Sequence, residues 1–108
     1  MQTILIAYDG TAAADAAVVE ALALHRPGDA VDLVAIAADG EATLAEIAER
    51  GRASLEARGV TVAYWLGGGD PAAVVRAAAR DGSYDAVLTP FARRVEAPAS
   101  RRSAVAAD

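Results

Sequence analysis

Four apolar runs alternate along this chain with stretches whose apolar residues fall at helical spacing. Thr3-Ile4-Leu5-Ile6-Ala7-Tyr8 is continuous rather than alternating, as expected for a central parallel strand covered on both faces. Asp9-Gly10-Thr11 breaks the run, and Ala12 to about His25 reads as helix, with Ala17, Val18, Ala21, Leu22 and Leu24 at its apolar positions. Arg26-Pro27-Gly28-Asp29 is a turn, which places His25 in the last helical turn as an end-of-helix structural residue. Val31 to Ala37 is a second buried run, with Asp32 near its exposed start. Asp39-Gly40 opens a longer helix over about Glu41 to Arg58. Its Leu44, Ile47, Ala48, Gly51 and Leu55 share one face, with Glu46, Glu49, Arg50, Arg52 and Glu56 on the other. Gly59 is the expected left-handed stop.

Val60 to Leu66 is rich in β-branched and aromatic residues and reads as a third strand. Gly67-Gly68-Gly69 is a loop. Asp70-Pro71 then starts a helix, because Asp caps free N–H groups and Pro at the first helical position loses no hydrogen bond. Val74, Val75 and Ala78 point inward, and the helix stops near Gly82. Tyr84 to Thr89 is a short fourth strand. A β-α-β-α-β-α-β order with short loops predicts a single-domain α/β fold, an open parallel sheet with helices on both faces. After Pro90 the pattern dissolves, so residues 1–89 form the domain and residues 90–108 a basic, Arg-rich tail. Residues 1–88 hold six Arg against thirteen acids, whereas 89–108 hold Arg93, Arg94, Arg101 and Arg102 against Glu96 and Asp108.

Composition narrows the chemistry. At 108 residues and 55% hydrophobic the chain suits one domain, and with aromatics at 5% its core is built from Ala, Val, Leu and Ile. With no Cys there is no disulfide, thiol nucleophile or zinc-thiolate site, and the lone His25 excludes a histidine metal cluster. All ten basic residues are Arg, consistent with a GC-rich coding bias, and the absence of Lys excludes Schiff-base chemistry and a phosphate-binding lysine. A net charge of -5 argues against nucleic acid as a partner, since such binding rests on basic residues neutralising phosphates. No segment approaches a membrane span, and the start Met-Gln-Thr lacks the basic region of a signal peptide. A cytoplasmic location without membrane contact is the expectation.

In an open α/β sheet, ligands bind beyond the carboxyl ends of the strands where the strand order reverses. That crevice would hold Asp9, Gly10, Thr89 and Pro90. Asp9 has two readings: acceptor for a ribose or base amino group, or cap of a local turn. Spacing alone favours the turn. Dinucleotide binding wants three glycines after strand one, and Asp9-Gly10-Thr11-Ala12-Ala13-Ala14 has one. A Walker motif and a two-component receiver both need a lysine, and a flavin-phosphate loop wants more hydroxyls than Thr11. The triple glycine leads into Asp70, whose carboxylate would repel a phosphate, so it reads as a connector rather than a cradle.

Taken in order, Ile4-Leu5-Ile6-Ala7-Tyr8-Asp9-Gly10-Thr11, then Gly69-Asp70-Pro71-Ala72-Ala73-Val74-Val75-Arg76-Ala77-Ala78, then Tyr84-Asp85-Ala86-Val87-Leu88 resemble a universal stress protein domain over about residues 3–89. The resemblance implies strand order 3-2-1-4 in an adenine nucleotide alpha hydrolase-like fold, usually with a fifth strand at the far edge, and commonly a homodimer. Some members of the family bind ATP and others do not. In the binding branch the Asp9 position meets the adenine end, and a strand-two position near Ile36 makes a backbone contact. The phosphates are held after strand four by Gly-x-x-Gly, nine residues, then Gly-Ser/Thr. Here that spacing falls on Pro90 and Arg93, then on Ser103-Ala104. Pro90 has no N–H, and Arg93 brings bulk where backbone must approach phosphate.

The resemblance therefore implies a stress-response module without catalytic residues or a metal site, acting by regulation or interaction, with no tightly held cofactor. The alternative is an ATP- or ADP-binding protein, with magnesium, that uses Asp9, Gly10, Ile36, Thr89, Arg93 and Ser103, its arginines replacing the glycine loop. Arg93, Arg94, Arg101 and Arg102 would suit bidentate phosphate contacts; as a solvated tail they would pack on the acidic body. The chain stops where the family's fourth helix should begin, so the fifth strand is expected to be missing. That leaves the strand-four edge open for self-association as a homodimer, or for an unknown protein partner.

Overall fold

Continuous apolar strands demand cover on both faces, and the chain supplies it from three helices. A computed structural model describes residues 1–38, 40–81 and 84–90, together with the strand at 95–96. The elements are β1 (Thr3–Tyr8), α1 (Ala12–Leu24), β2 (Ala30–Ala35), α2 (Leu44–Glu56), β3 (Val62–Leu66), α3 (Pro71–Arg80), β4 (Ala86–Leu88) and β5 (Val95–Glu96). The sheet order is β3-β2-β1-β4-β5. The first four strands are parallel and run in the expected 3-2-1-4 order, with Ile6 flanked by Leu33 on one side and Leu88 on the other.

Because successive strand residues point to opposite faces, β1 feeds two cores. Ile4, Ile6 and Tyr8 join Val31, Leu33 and Leu88 beneath Ala17 and Val18 of α1 and Ile47, Ala48 and Leu55 of α2. Leu5 and Ala7 join Val34, Ile36 and Val87 beneath Val75 of α3 and beside Tyr84. Of the helix residues expected inward, Ala17, Val18, Ala21, Ile47, Ala48, Gly51, Leu55 and Val75 are buried, and Leu22, Leu24, Leu44, Val74 and Ala78 are half-buried.

The fifth strand corrects the expectation of a four-stranded sheet. β4 is only three residues long and gives way at Pro90, after which Val95 and Glu96 pair antiparallel with Val87 and Ala86. The outer edge of β4 is thus occupied by backbone from the segment assigned to the tail. The remainder of that segment, including Arg93, Arg94, Arg101, Arg102 and Ser103, lies outside the described residues.

Helix starts follow their caps. α1 is capped by Thr11, whose hydroxyl accepts from Ala14 N, and α3 by Asp70, whose carboxylate accepts from Ala73 N at 2.9 Å with Pro71 at the first helical position. α2 begins at Leu44 rather than near Glu41. Thr43 and Glu46 form a reciprocal capping box, Thr43 N donating to Glu46 Oε1 at 2.8 Å and Glu46 N to Thr43 Oγ1 at 3.1 Å. Gly59 ends the following turn at φ +84°, the left-handed geometry expected of it. His25 is the C-cap of α1, its ring nitrogen 3.3 Å from Asp29 O.

Candidate functional site

The carboxyl ends of β1 and β2 open into a cavity of about 530 Å³. Its floor is the β1–α1 turn, Asp9-Gly10-Thr11; one wall is the β2–α2 loop, with Ala38, Gly40, Glu41 and Ala42; the other is the start of α2, with Glu46, Ile47 and Arg50. Gly10 has φ +82°, a backbone conformation that lets the chain turn sharply out of β1.

The Asp9 carboxylate is engaged within its own turn. Its Oδ1 accepts from Thr11 N at 3.0 Å and from Thr11 Oγ1 at 2.6 Å, while the same Thr11 oxygen caps α1. This is the local-turn reading of Asp9, and it leaves Oδ2 for any ligand. Glu46 is likewise held by its capping box. Three carboxylates (Asp9, Glu41 and Glu46) therefore line the cavity against one guanidinium, Arg50.

Arg50 sits in a polar chain that spacing on the sequence did not disclose. Tyr8 OH donates to Asp15 Oδ1 at 2.6 Å, and Arg50 Nη2 lies 3.6 Å from Asp15 Oδ2. The chain ties β1, α1 and α2 together at the cavity's rim. Burial, followed by the hydrogen bond to the Asp15 carboxylate, pushes the Tyr8 phenol up to about 12. Burial and a 3.0 Å hydrogen bond to Asp32 Oδ2 push Tyr84 up as well.

Because the folded state holds these phenolic protons more tightly than an ordinary tyrosine of pKa 10.0, stability from Tyr8 is fully present below pH 10 and declines as pH rises through about 12. We expect tyrosinate absorbance from Tyr8 to stay absent until the alkaline unfolding transition. Tyr8→Phe should remove that component and flatten the alkaline loss of stability. A Tyr8 signal titrating near pH 10 in the folded protein would refute the assignment.

Of the crevice residues expected from sequence, the structure brings Asp9 and Gly10 to the cavity. Ile36 and Thr89 are not among its lining residues. Ile36 follows β2 with its side chain fully buried on the α3 side, and its N–H donates to Tyr8 O at 2.9 Å. Thr89 is buried directly after β4. Arg93 and Ser103 lie outside the described residues. Arg50, placed by periodicity on the outer face of α2, is instead a wall of the cavity. No group of three His, Cys, Asp or Glu among the described residues is placed to hold a metal ion, and no helix there is long and apolar enough to cross a membrane.

No family model and no curated protein matches the chain. Among solved structures, a protein of the universal stress protein family from Burkholderia pseudomallei superposes with a TM-score of 0.61. The two are 23% identical, over 82% of this chain and 80% of that one. The fold is that of a universal stress protein. Within this fold the cavity sits at the carboxyl ends of the strands, where open α/β sheets place their ligands. It opens on the β1–β2 side of the sheet, one strand away from the β1–β4 reversal.

Proposed function

We propose that the chain is a universal stress protein-like module that acts in the cytoplasm, in stress response, by regulation or protein interaction, without catalysis and without tight ATP binding. The observation that carries this reading is the cavity's charge: three carboxylates face one arginine that is already 3.6 Å from Asp15. A triphosphate would enter against like charge. Asp9 would have to share a carboxylate already committed to Thr11, and Pro90, at the exit of β4, has no N–H to donate. Calorimetric titration with MgATP and MgADP tests it. We expect no saturable binding at or below about 1 mM, a concentration range that corresponds to roughly 4 kcal/mol of binding free energy. Saturation well below that, abolished in Asp9→Ala, would overturn the proposal.

The alternative, adenine-nucleotide binding, is favoured by one observation: about 530 Å³ with Asp9 and Gly10 at its floor is the size of a small-molecule site. On that reading Arg93 and Arg94 would replace the glycine loop. Arg93→Ala combined with Arg94→Ala would then weaken the measured affinity at least tenfold, and it leaves a non-binder unchanged.

A further inference from the structure

Trp65 stands near the end of β3, on the α3 side of the sheet. Tyr84 takes one face of its ring, with centroids 6.4 Å apart and planes 17° from parallel, yet 38% of the residue stays in solvent. The exposed part borders a groove of about 630 Å³ that runs along α3 past Val74, Ala77 and Ala78 to Arg80 and Asp81. Covering an indole and its apolar neighbours takes apolar surface out of water, which favours an occupant with apolar side chains of its own.

We propose that this occupant is the chain's own segment 97–108. It crosses the end of the sheet where the parallel strands begin, sets Arg101 and Arg102 beside Asp81, and seats Ala104-Val105-Ala106 in the groove against Trp65. The segment lies outside the described residues, and three properties of its surroundings and its sequence favour this seat.

The first is direction. Glu96 of β5 pairs with Ala86, the first residue of β4, so the chain leaves the sheet at the starting end of the parallel strands. Pro98 has no N–H with which to prolong a ladder. Because α3 leads from the end of β3 back to the start of β4, Arg80 and Asp81 at its close stand at that same end.

The second is reach. From β5 to β3 is four strand spacings, about 19 Å at about 4.8 Å each. Six extended residues, 97–102, span about 20 Å. That brings Arg101 and Arg102 to the mouth of the groove and leaves the apolar run Ala104-Val105-Ala106-Ala107 to lie along α3.

The third is charge. The route passes Asp85, whose Oδ2 accepts from Thr3 N at 2.8 Å at the start of β1, and Asp32 of β2, which accepts from Tyr84 OH at 3.0 Å. It ends at Asp81. The segment carries Arg101 and Arg102 against Asp108, so it meets this acidic surface with the opposite sign. A protein partner using the Trp65 face would first have to displace the segment.

A spin label tests this in the full chain. The chain has no Cys, so Ala107→Cys takes a nitroxide at one position. The expected result is loss of signal at the Trp65 indole N–H and at the Ala77 and Ala78 amides when the nitroxide is oxidised, with Val19 on α1, across the sheet, unchanged. Arg101→Glu combined with Arg102→Glu, or Val105→Asp, should restore the lost signal. Isotope-enriched unlabelled chain mixed with spin-labelled chain should show no loss, because the contact is intramolecular. Trp65 is the chain's one tryptophan, so the same substitutions without the label should shift its emission to the red and expose it to acrylamide. Circular dichroism reports whether each variant is folded. Signal loss absent at Trp65, Ala77 and Ala78, or present but retained in the folded variants, overturns the proposal. So does loss in the mixed sample, which would assign the groove to a second copy, or Trp65 emission that neither set of substitutions moves.

Discussion

Gly51→Val is expected to destabilise the protein by about 3 kcal/mol, at the upper end of what overpacking a core costs. Glycine in mid-helix costs about 1 kcal/mol relative to alanine, so its presence inside α2 needs a compensating contact. An added Cβ would lie 2.6 Å from Leu33 Cδ1 and 2.9 Å from Tyr8 Cδ2. Neither neighbour can yield. Leu33 and Tyr8 are both fully buried, and the Tyr8 ring is pinned by its hydrogen bond to Asp15. A side chain at 51 must therefore lift α2 off the sheet and loosen Ile47, Ala48 and Leu55 with it. Valine adds two further methyl groups and a stiff χ1 to that clash. Gly51→Ala should cost less, about 1–2 kcal/mol, because the gain in helix propensity offsets part of the strain. Urea unfolding monitored by far-ultraviolet circular dichroism checks both, and a Gly51→Ala protein more stable than the parent would contradict the packing described.

Ile6→Ala is expected to cost about 4 kcal/mol, within the range for removing a large aliphatic side chain from a tight core. Ile6 is the midpoint of the central strand, fully buried, with strands on both sides and the α1–α2 core above it. The cavity left behind cannot collapse without bending β1, which both cores share. Domains of this size are stable by about 5–15 kcal/mol in total, so the variant should be partly unfolded at modest denaturant. Val19→Ala is the matched control: Val19 is 58% exposed on α1, and its truncation should shift stability by no more than about 0.5 kcal/mol. Similar losses at the two positions would mean that the strand is not central.

Much of this fold can be read from the chain because its cues are local. Ile4 to Tyr8 is too continuously apolar for any place but a covered strand, and Asp70-Pro71 carries its helix start in two residues. Where two local cues compete, the stronger one starts the helix. Asp39-Gly40 looks like a helix start, yet Thr43 with Glu46 three residues on forms the stronger one, and the helix begins after it.

Other features depend on partners far along the chain. Tyr84 donates to Asp32 across 52 positions, and Arg50 reaches Asp15 from a different helix; no period within either segment signals these pairs. Tyr64-Trp65-Leu66 shows the same limit in another form. Its composition marks a strand, but whether an apolar strand is buried or bare depends on its place in the sheet. β5 is two residues long, too short for any period in the sequence to mark it as a strand. At the candidate site, Asp9 and Gly10 were legible because they end β1, whereas the acidic wall from Glu41 and Glu46 emerged only when α2 was placed over the turn.

On the proposed function, a cavity lined by Asp9, Glu41 and Glu46 turns a triphosphate away. Amide chemical shifts of the labelled protein, followed while MgATP is added, test that most directly. The expected result is no saturating shift at Gly10, Thr11, Glu41 or Thr89 at or below about 1 mM nucleotide. Saturating shifts at those amides at micromolar MgATP, lost in Asp9→Ala, would contradict it.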